Sequence, residues 1–225
     1  MAGKPKQPSP AMGDRLERVL KHLEDAAGPW VEKVHEEAQT NALSGTDAWY
    51  QASYNVFASN PRPTSPTDFV KTVAFALSWV ASIPEGNPSV AFKAISEAAD
   101  KVRAAEQNVG NEASVRQDAR RRAVQAVQTG LSLQRKDSVV IASKVLHFLD
   151  PDLAPMIDIN VSLGWKKLEK EFGPLMEYTI SEHPFSHQYL AFWEFAFGAR
   201  YHFRDRTPAL TYRRLDELLF QLGRH

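Results

Sequence analysis

The stretch SKVLHFLDPDLAPMIDINVS, residues 143–162, joins a helical apolar run to a carboxylate in apolar surroundings. The apolar run begins after Lys144 and ends at Leu149, where proline-containing turns follow. Asp158 then lies between two isoleucines, although carboxylates are seldom found among apolar residues without a partner. Because proline ends helices and aspartate is a favoured N-cap, the stretch predicts two helices joined by a rigid turn.

The sequence on both sides of this stretch also predicts helices. Apolar residues recur at helical spacing, and no sustained alternation typical of strands is present, so we predict an all-α protein. The helix over 69–83 is apolar nearly all round, which favours a central position, and Thr67-Asp68 is predicted to cap it. The other predicted helices run over 14–28, from 29 onward, over 89–108, to near 130, over 139–149, over 160–172, and from 207–208 onward.

Length and composition limit the class of protein. The 225 residues fit one domain. Residues 1–12, rich in Pro, Gly, Ser and Lys, are predicted to be a disordered tail, and 13–225 the folded domain. The absence of cysteine excludes disulfides, thiolate metal sites and cysteine catalysis. The chain has no apolar run of the ~20 residues that a membrane span needs, and no apolar segment follows the N-terminal lysines, so we expect a cytoplasmic protein with no membrane partner.

Several familiar catalytic signals are missing. The chain has neither a glycine-rich phosphate loop nor a Gly-x-Ser-x-Gly nucleophile elbow. The seven histidines are dispersed, and the pair His183 and His187 has a proline between its members. We therefore expect no metal and no cofactor.

The residues before the opening stretch are locally basic in a chain with 27 basic and 27 acidic residues. Residues 116–144 carry seven basic side chains and two acidic ones. A helix N-terminus with flanking cations can hold a phosphate, and a nearby aspartate would then face the sugar. A carboxylate there can activate water and stabilise positive charge on the sugar, and aromatic side chains can stack on a base taken out of the duplex. The candidate phosphate ligands are Arg121, Arg135, Lys136, Ser138 and Lys144, and the candidate base-pocket residues are Trp49, Tyr54 and Trp193.

The segment ASKVLHFLDPDLAPMIDINVS, residues 142–162, resembles the helix-hairpin-helix DNA glycosylases, especially bacterial proteins similar to 8-oxoguanine glycosylase. That superfamily has a Pro-Val-Asp-Thr-His-Val type segment after the second hairpin helix. Asp158 matches its catalytic aspartate, Val161 matches the following apolar position, and Asn160 stands where the family often has histidine. The C-terminal TYRRLDELLFQLGR, residues 211–224, is also similar to the ends of uncharacterised relatives.

The resemblance implies a fold and an activity. The fold is two helical lobes around a cleft, with the hairpin and catalytic unit at about 131–162. The activity is hydrolysis of the N-glycosidic bond of a damaged or modified base, in repair or in defence against modified foreign DNA. The implied partner is double-stranded DNA, contacted also by Asn160, and the implied protein is a nucleoid-associated monomer.

The chain departs from the family at the hairpin. Arg135 to Ser138 replace the usual Gly-x-Gly turn, and a valine, at 139 or 140, lies near the position of the nucleophilic lysine of bifunctional members. Lys144 is one turn further, on the same helix face as Val140. These departures favour a monofunctional enzyme in which Asp158 activates water, with Lys144 as a second catalytic candidate.

Each of these interpretations has a structural alternative. Asp158 can serve only as a helix cap, Lys144 can contact phosphate or solvent, and residues 120–122 can form a solvated face. His147 and the aromatic residues are typical of a core. For the whole chain the alternatives are a non-catalytic DNA-binding module and a helical protein-interaction domain.

Overall fold

The computed structural model describes most of the chain, with gaps. The described residues are 10–40, 51, 54–56, 62–78, 84–107, 113–133, 138–175, 184–205 and 210–225. Their side chains are described as well, except those of 10–12 and 184–187. Residues 1–9 of the predicted tail lie outside this description, and residues 10–12 belong to the first helix.

All regular secondary structure in these ranges is α-helix, which confirms the all-α prediction. The helices are α1 (Pro10–Gln39), α2 (Pro66–Ser78), α3 (Pro88–Gln107), α4 (Ala113–Gly130), α5 (Ser138–Leu149), α6 (Ile159–Phe172), α7 (Pro184–Phe203) and α8 (Tyr212–Arg224). Within the described part of the chain, none of them combines the length and apolarity needed to cross a membrane.

Helix α1 passes through Pro29, so the predicted helix end at Gly28-Pro29 is wrong. The buried residues Leu23, Ala27 and Val31 keep one face across the proline, because they follow one another at intervals of four. Burial of that face against α8 compensates for the helix hydrogen bond that proline removes. Arg214 of α8 also binds α1 on both sides of Pro29, with 2.8 Å from Nη2 to Glu24 and 2.8 Å from Nη1 to Glu32.

Helix α5 is the central helix, not α2 as its composition predicted. Nine of the residues of α5 are buried, and the helix packs against α2, α4 and α7. Helix α2 buries one face and leaves Val70 43% exposed. Its N-cap is Ser65 rather than Thr67-Asp68, since Ser65 Oγ accepts a hydrogen bond from the Asp68 amide at 3.2 Å. The last helix likewise starts later than predicted, with Thr211 as its cap.

Two glycines bring the backbones of α6 and α8 into direct contact. A Cβ on Gly164 would lie 2.1 Å from the Leu219 carbonyl oxygen, and one on Gly223 would lie 1.9 Å from the Asn160 carbonyl oxygen. Both distances are far below van der Waals contact, so only glycine fits at these positions. The two pairs run in opposite chain directions, which makes α6 and α8 antiparallel. Asp158, directly before α6, is thereby held close to α8.

We expect Gly164→Ala to destabilise the fold by about 1–3 kcal/mol, because the added methyl group collides with backbone that cannot rotate away. Urea denaturation of the variant and the wild type measures this difference. Gly28→Ala is the matched control. Its Cβ would meet only side-chain atoms, Glu24 Oε2 at 3.0 Å and Arg214 Nη2 at 3.9 Å, and the alanine would precede Pro29, so the change should stay within about 1 kcal/mol of wild type. Equal effects of the two substitutions would contradict the close backbone packing.

A buried ion network joins α3, α4 and α7 on the other side of the molecule. Arg120 has no exposed surface and binds Glu106 and Glu194, with 2.9 Å from Nε to Glu106 Oε1. Arg116 completes the network with 2.6 Å to Glu194. Burial alone would raise the pKa of Glu194, but the two arginines lower it below its ordinary value. The interpretation of residues 120–122 as a solvated or DNA-facing surface is therefore wrong for Arg120.

Loss of Arg120 should be costly because it leaves buried carboxylates without their cation. We expect Arg120→Met to destabilise the fold by about 3–5 kcal/mol in urea denaturation. The neighbouring Arg121→Met is the control, since Arg121 is half exposed and pairs only within its helix, 2.5 Å from Asp118. That change should stay within about 0.5 kcal/mol of wild type. A loss below 1 kcal/mol for Arg120→Met would contradict the role given to the network.

Candidate functional site

The segment between α5 and α6 has no regular structure, yet buried side chains bind its backbone at four consecutive residues. The Ala154 carbonyl accepts from His147 Nδ1 at 2.7 Å, and the Pro155 carbonyl accepts from the Tyr189 hydroxyl at 2.9 Å. The Met156 amide donates to Asp216 Oδ2 at 3.0 Å, and the Ile157 amide donates to Ser143 Oγ at 3.1 Å. The four partners come from α5, α7 and α8, so three helices fix the path of residues 154–157.

Asp158 follows this segment and is the N-cap of α6. Its backbone is extended (φ −138°, ψ −170°), and its Oδ1 accepts a hydrogen bond from the Val161 amide at 2.9 Å. The predicted capping role of Asp158 is confirmed. A cap carboxylate also lies at the positive end of the helix dipole, where a negative charge is stabilised.

Asp158 and Lys144 line one cavity of about 180 Å³. The structure thus brings together the two residues that the sequence analysis proposed as catalytic. The remaining lining comes from α1, from residue 51, from the segment before α6, from the first turn of α6 and from α8. The lining combines apolar side chains with polar and charged ones. The apolar residues are Val31, Val34, Met156, Ile157, Val161 and Phe220, and the other polar ones are His35, Gln51, Arg213, Asp216, Glu217 and Gln221.

The charged side chains around the cavity differ in their burial and in their ion-pair partners. Burial lowers the pKa of Lys144, and the nearby negative charge of Asp158 opposes that effect. Arg213 binds Glu217 with 2.8 Å between Nε and Oε1, and the His35 Nε2–H donates to the same oxygen at 3.1 Å. Glu217 therefore neutralises Arg213, whereas Lys144 is partly buried beside Asp158.

Sequence patterns did not predict Asp216, His35, Arg213 or Glu217 for the site, and of these Asp216 is the most deeply buried. It is 3% exposed, and burial raises its pKa well above the ordinary value. The bond from Met156 and the charge of Arg213 oppose this rise, while the charges of Glu217 and Asp158 add to it. The sequence does contain a signal for the burial of Asp216. This residue lies on the same helix face as Tyr212, Leu215 and Leu219, whose spacing is that of a buried face.

Tyr54, predicted for the base pocket, lies behind the cavity wall. Its hydroxyl is 2.9 Å from His147 Nε2, and the Arg213 guanidinium lies over its ring at 4.1 Å. Because the Ala154 carbonyl can only accept, the proton of His147 is on Nδ1, and Tyr54 donates to Nε2. His147 is fully buried, which confirms its interpretation as a core histidine.

The other predicted site residues that the structure describes do not line the cavity. Trp193 is fully buried, with the Arg120 guanidinium 5.4 Å from its ring, so it belongs to the core rather than to this cavity. Ser138 accepts a hydrogen bond from Gln128 at 2.7 Å, and Asn160 lies in the first turn of α6. Arg121 is on the exposed face of α4. Trp49, Arg135 and Lys136 lie outside the described residues.

The buried His147 makes stability depend on pH in a defined direction. Burial lowers its pKa from 6.5 to about 3, helped by the charge of Arg213 and opposed by the bond to Ala154. Between these values the unfolded chain binds a proton that the folded chain does not, so stability falls as the pH falls. From pH 6.5 to pH 5 the wild type should lose about 1.6 kcal/mol more than His147→Gln, since the slope rises from half of ~1.4 kcal/mol per pH unit at pH 6.5 to nearly its full value at pH 5.

Urea denaturation at each pH measures this difference. His225→Gln, at the exposed C-terminus, is the matched histidine control and should keep the wild-type dependence. If His147→Gln and the wild type lose equal stability over this interval, His147 is not held neutral by the fold.

Comparisons with known proteins add no relative. No protein-family model, curated protein or solved structure matches this chain. Among the described residues, no group of three or more His, Cys, Asp or Glu side chains could hold a metal ion.

Proposed function

We propose that this protein is a DNA glycosylase that hydrolyses the N-glycosidic bond of a damaged or modified base in double-stranded DNA. The observation that carries the proposal is the meeting of Lys144 and Asp158 at one cavity, after a helix and turn that resemble the helix-hairpin-helix glycosylases. We propose for the protein the architecture of that family, with two helical lobes around a cleft that admits the duplex.

The size of the cavity supports this substrate. Its volume of about 180 Å³ is below the ~300–1,000 Å³ of pockets that take drug-sized ligands. It suits a single small group, such as one base or one sugar turned out of a duplex. The apolar lining residues, among them Val31, Val34 and Phe220, offer contacts for a ring, and the polar lining residues offer charged groups for the sugar.

The chemistry assigned to Asp158 follows from its fixed position. Its Oδ1 is held by the Val161 amide, which leaves the second oxygen able to accept a proton from water. The carboxylate also stabilises the positive charge that develops on the sugar as the bond to the base breaks. Lys144 adds a partly buried amine beside it, which can contact the phosphate or the sugar of the same nucleotide.

Asp158→Asn tests the proposal without removing the cap, because asparagine caps helices as well as aspartate does. We expect the variant to keep wild-type stability and to lose base release by about 100-fold or more. The substrates are duplexes with one 8-oxoguanine, 7-methylguanine or 5-hydroxymethyluracil, followed by alkali to cut at abasic sites. The control is Asp152→Asn, an exposed aspartate that pairs with Arg200 and should retain full activity.

Two further readouts separate the alternatives. Borohydride added during the reaction would trap a covalent DNA adduct if Lys144 attacked the sugar, and for a monofunctional enzyme we expect no adduct. Steep salt dependence of duplex binding without base release would favour the non-catalytic DNA-binding module. No binding and no release on any duplex would favour the protein-interaction domain.

A further inference from the structure

Gln221 is a nearly buried side chain of the cavity lining whose carboxamide has no partner among the described residues. It belongs to α8, is 7% exposed and lines the cavity together with Asp158 and Phe220. Its backbone carbonyl accepts from the His225 amide at 3.1 Å, but its side chain makes no hydrogen bond to any residue that the structure describes. Carboxamides this deeply buried are normally hydrogen-bonded, because an unpaired amide loses the bonds that water would give it.

The carboxamide of Gln221 is accessible from the cavity. In the described part of the chain, the fully buried side-chain atoms without a hydrogen-bond partner are Arg120 Nη2, Trp193 Nε1, His202 Nε2 and Asp216 Oδ1. Neither Oε1 nor Nε2 of Gln221 is closed off in this way, so both polar atoms retain accessible surface. Because Gln221 lines the cavity, a group bound there can reach its carboxamide, whereas Oδ1 of Asp216 is closed to such a group.

The charged groups beside Gln221 are already held by the protein. Glu217 Oε1 binds Arg213 Nε at 2.8 Å and His35 Nε2 at 3.1 Å. The second carboxamide of the lining, Gln51, is only half-buried. Gln221 is therefore the more deeply buried of the two lining groups that offer a ligand both a neutral donor and a neutral acceptor.

A carboxamide recognises an edge that carries a donor and an acceptor side by side. Its oxygen accepts from the donor of that edge, and its N–H donates to the neighbouring acceptor. Adenine and cytosine have an amino group beside a ring nitrogen, and guanine, hypoxanthine and uracil have a ring N–H beside a carbonyl. A ligand that displaces water from the carboxamide must supply both partners, since an apolar group would leave the amide without hydrogen bonds.

We propose that Gln221 determines which base this cavity accepts, through hydrogen bonds from its carboxamide to a donor and a neighbouring acceptor on one edge of the base. The inference rests on the proposed glycosylase function and names the group that selects its substrate. The cavity takes bases whose donor–acceptor edge is free, and it rejects bases in which alkylation has removed the donor. Val31, Val34 and Phe220 supply the apolar contacts for the ring, while Asp158 acts on the sugar.

Binding of free bases to the protein without DNA tests this recognition directly. The ligands are 1-methyluracil, 9-methylhypoxanthine and 9-methyladenine, in which a methyl group replaces the sugar. Their blocked partners are 1,3-dimethyluracil, 1,9-dimethylhypoxanthine and 6-dimethylamino-9-methylpurine, which lack the donor. Ligand-observed NMR measures each Kd. We expect the wild type to bind at least one free-edge base about 10-fold more tightly than its blocked partner, and the discriminating pair identifies the edge that is read.

Gln221→Met removes the carboxamide with little change in shape. The preference for the free-edge base should be lost in this variant, whereas a preference caused by the size of the added methyl group would persist. Gln125→Met, at an exposed position of α4, is the matched control and should keep the wild-type preference.

Urea denaturation shows whether Gln221 has a structural role instead. Gln221→Met should keep the wild-type midpoint, because no hydrogen bond within the described protein is lost. Gln188→Met is the contrasting variant, since the Gln188 carboxamide binds Ser162 at 2.7 Å and 2.8 Å, and its loss should lower the midpoint. A fall for Gln221→Met as large as that for Gln188→Met would overturn the inference.

Duplex substrates separate selection of the base from the chemistry. For a base that the wild type releases, Gln221→Met should lower kcat/KM by about 10-fold or more. Asp158→Asn should lose base release but keep the preference among free bases.

The outcomes distinguish the two proposals. Base release by a wild type that shows no preference among free bases, or a preference that persists in Gln221→Met, overturns the role of Gln221 alone. A preference that requires Gln221, without base release from any duplex, supports the recognition and overturns the glycosylase. A wild type with neither preference nor release overturns both, and a Gln221-dependent preference together with release supports both.

Discussion

The fixed backbone of residues 154–157 is the constraint on which the site depends. This segment has no helix or strand to satisfy its peptide groups, and it lies in the interior, where an unpaired peptide group is costly. Side chains from three helices supply the missing partners, one for each residue. The segment is therefore bound to three helices, and Asp158 begins α6 from a position that α5, α7 and α8 determine together.

The same four bonds explain why polar side chains are buried around the cavity. His147, Tyr189 and Asp216 are each fully or almost fully buried, and each one binds a backbone group of this segment. His147 and Tyr189 have a structural role that accounts for their burial. Asp216 differs from them, because one of its oxygens has a structural partner and the other has none. The hydrogen bond from the Met156 amide thus accounts for Oδ2 of Asp216, and Oδ1 is left without a partner among the described residues.

Local sequence patterns correctly predict the helices and caps that depend only on residues close together in the chain. The apolar spacing of residues 139–149 and the proline turns that follow gave the correct helix, and Asp158 was recognised as a cap because capping is decided within three residues. Pro29 predicts a helix end because its effect is local, whereas the contacts with α8 that preserve the helix come from residue 214. The charge of Arg120 predicts an exposed side chain for the same reason, since its partner Glu194 is 74 residues away in the sequence.

The site was predictable to the extent that its residues are close in sequence. Lys144 and Asp158 are separated by one turn segment, so their meeting at a cavity follows from a helix, a rigid turn and a cap. Asp216 joins them through the antiparallel packing of α6 and α8, which requires glycine at residues 164 and 223. The residues next to Asp216 in the sequence do not predict that contact. Its inward position on an amphipathic helix does predict a buried carboxyl group that needs a hydrogen-bond or ion-pair partner.

Capping and catalysis by Asp158 are compatible roles. The cap bond engages Oδ1 and holds the carboxylate in one orientation, and a catalytic base benefits from being held in this way before the substrate arrives. The two carboxyl groups differ in burial and in what holds them, since Asp158 is half-buried and has Oδ1 bound by the Val161 amide, whereas Asp216 is 3% exposed and burial raises its pKa. A helix end thus orients one carboxyl group of the cavity, and the backbone amide of Met156 orients the other.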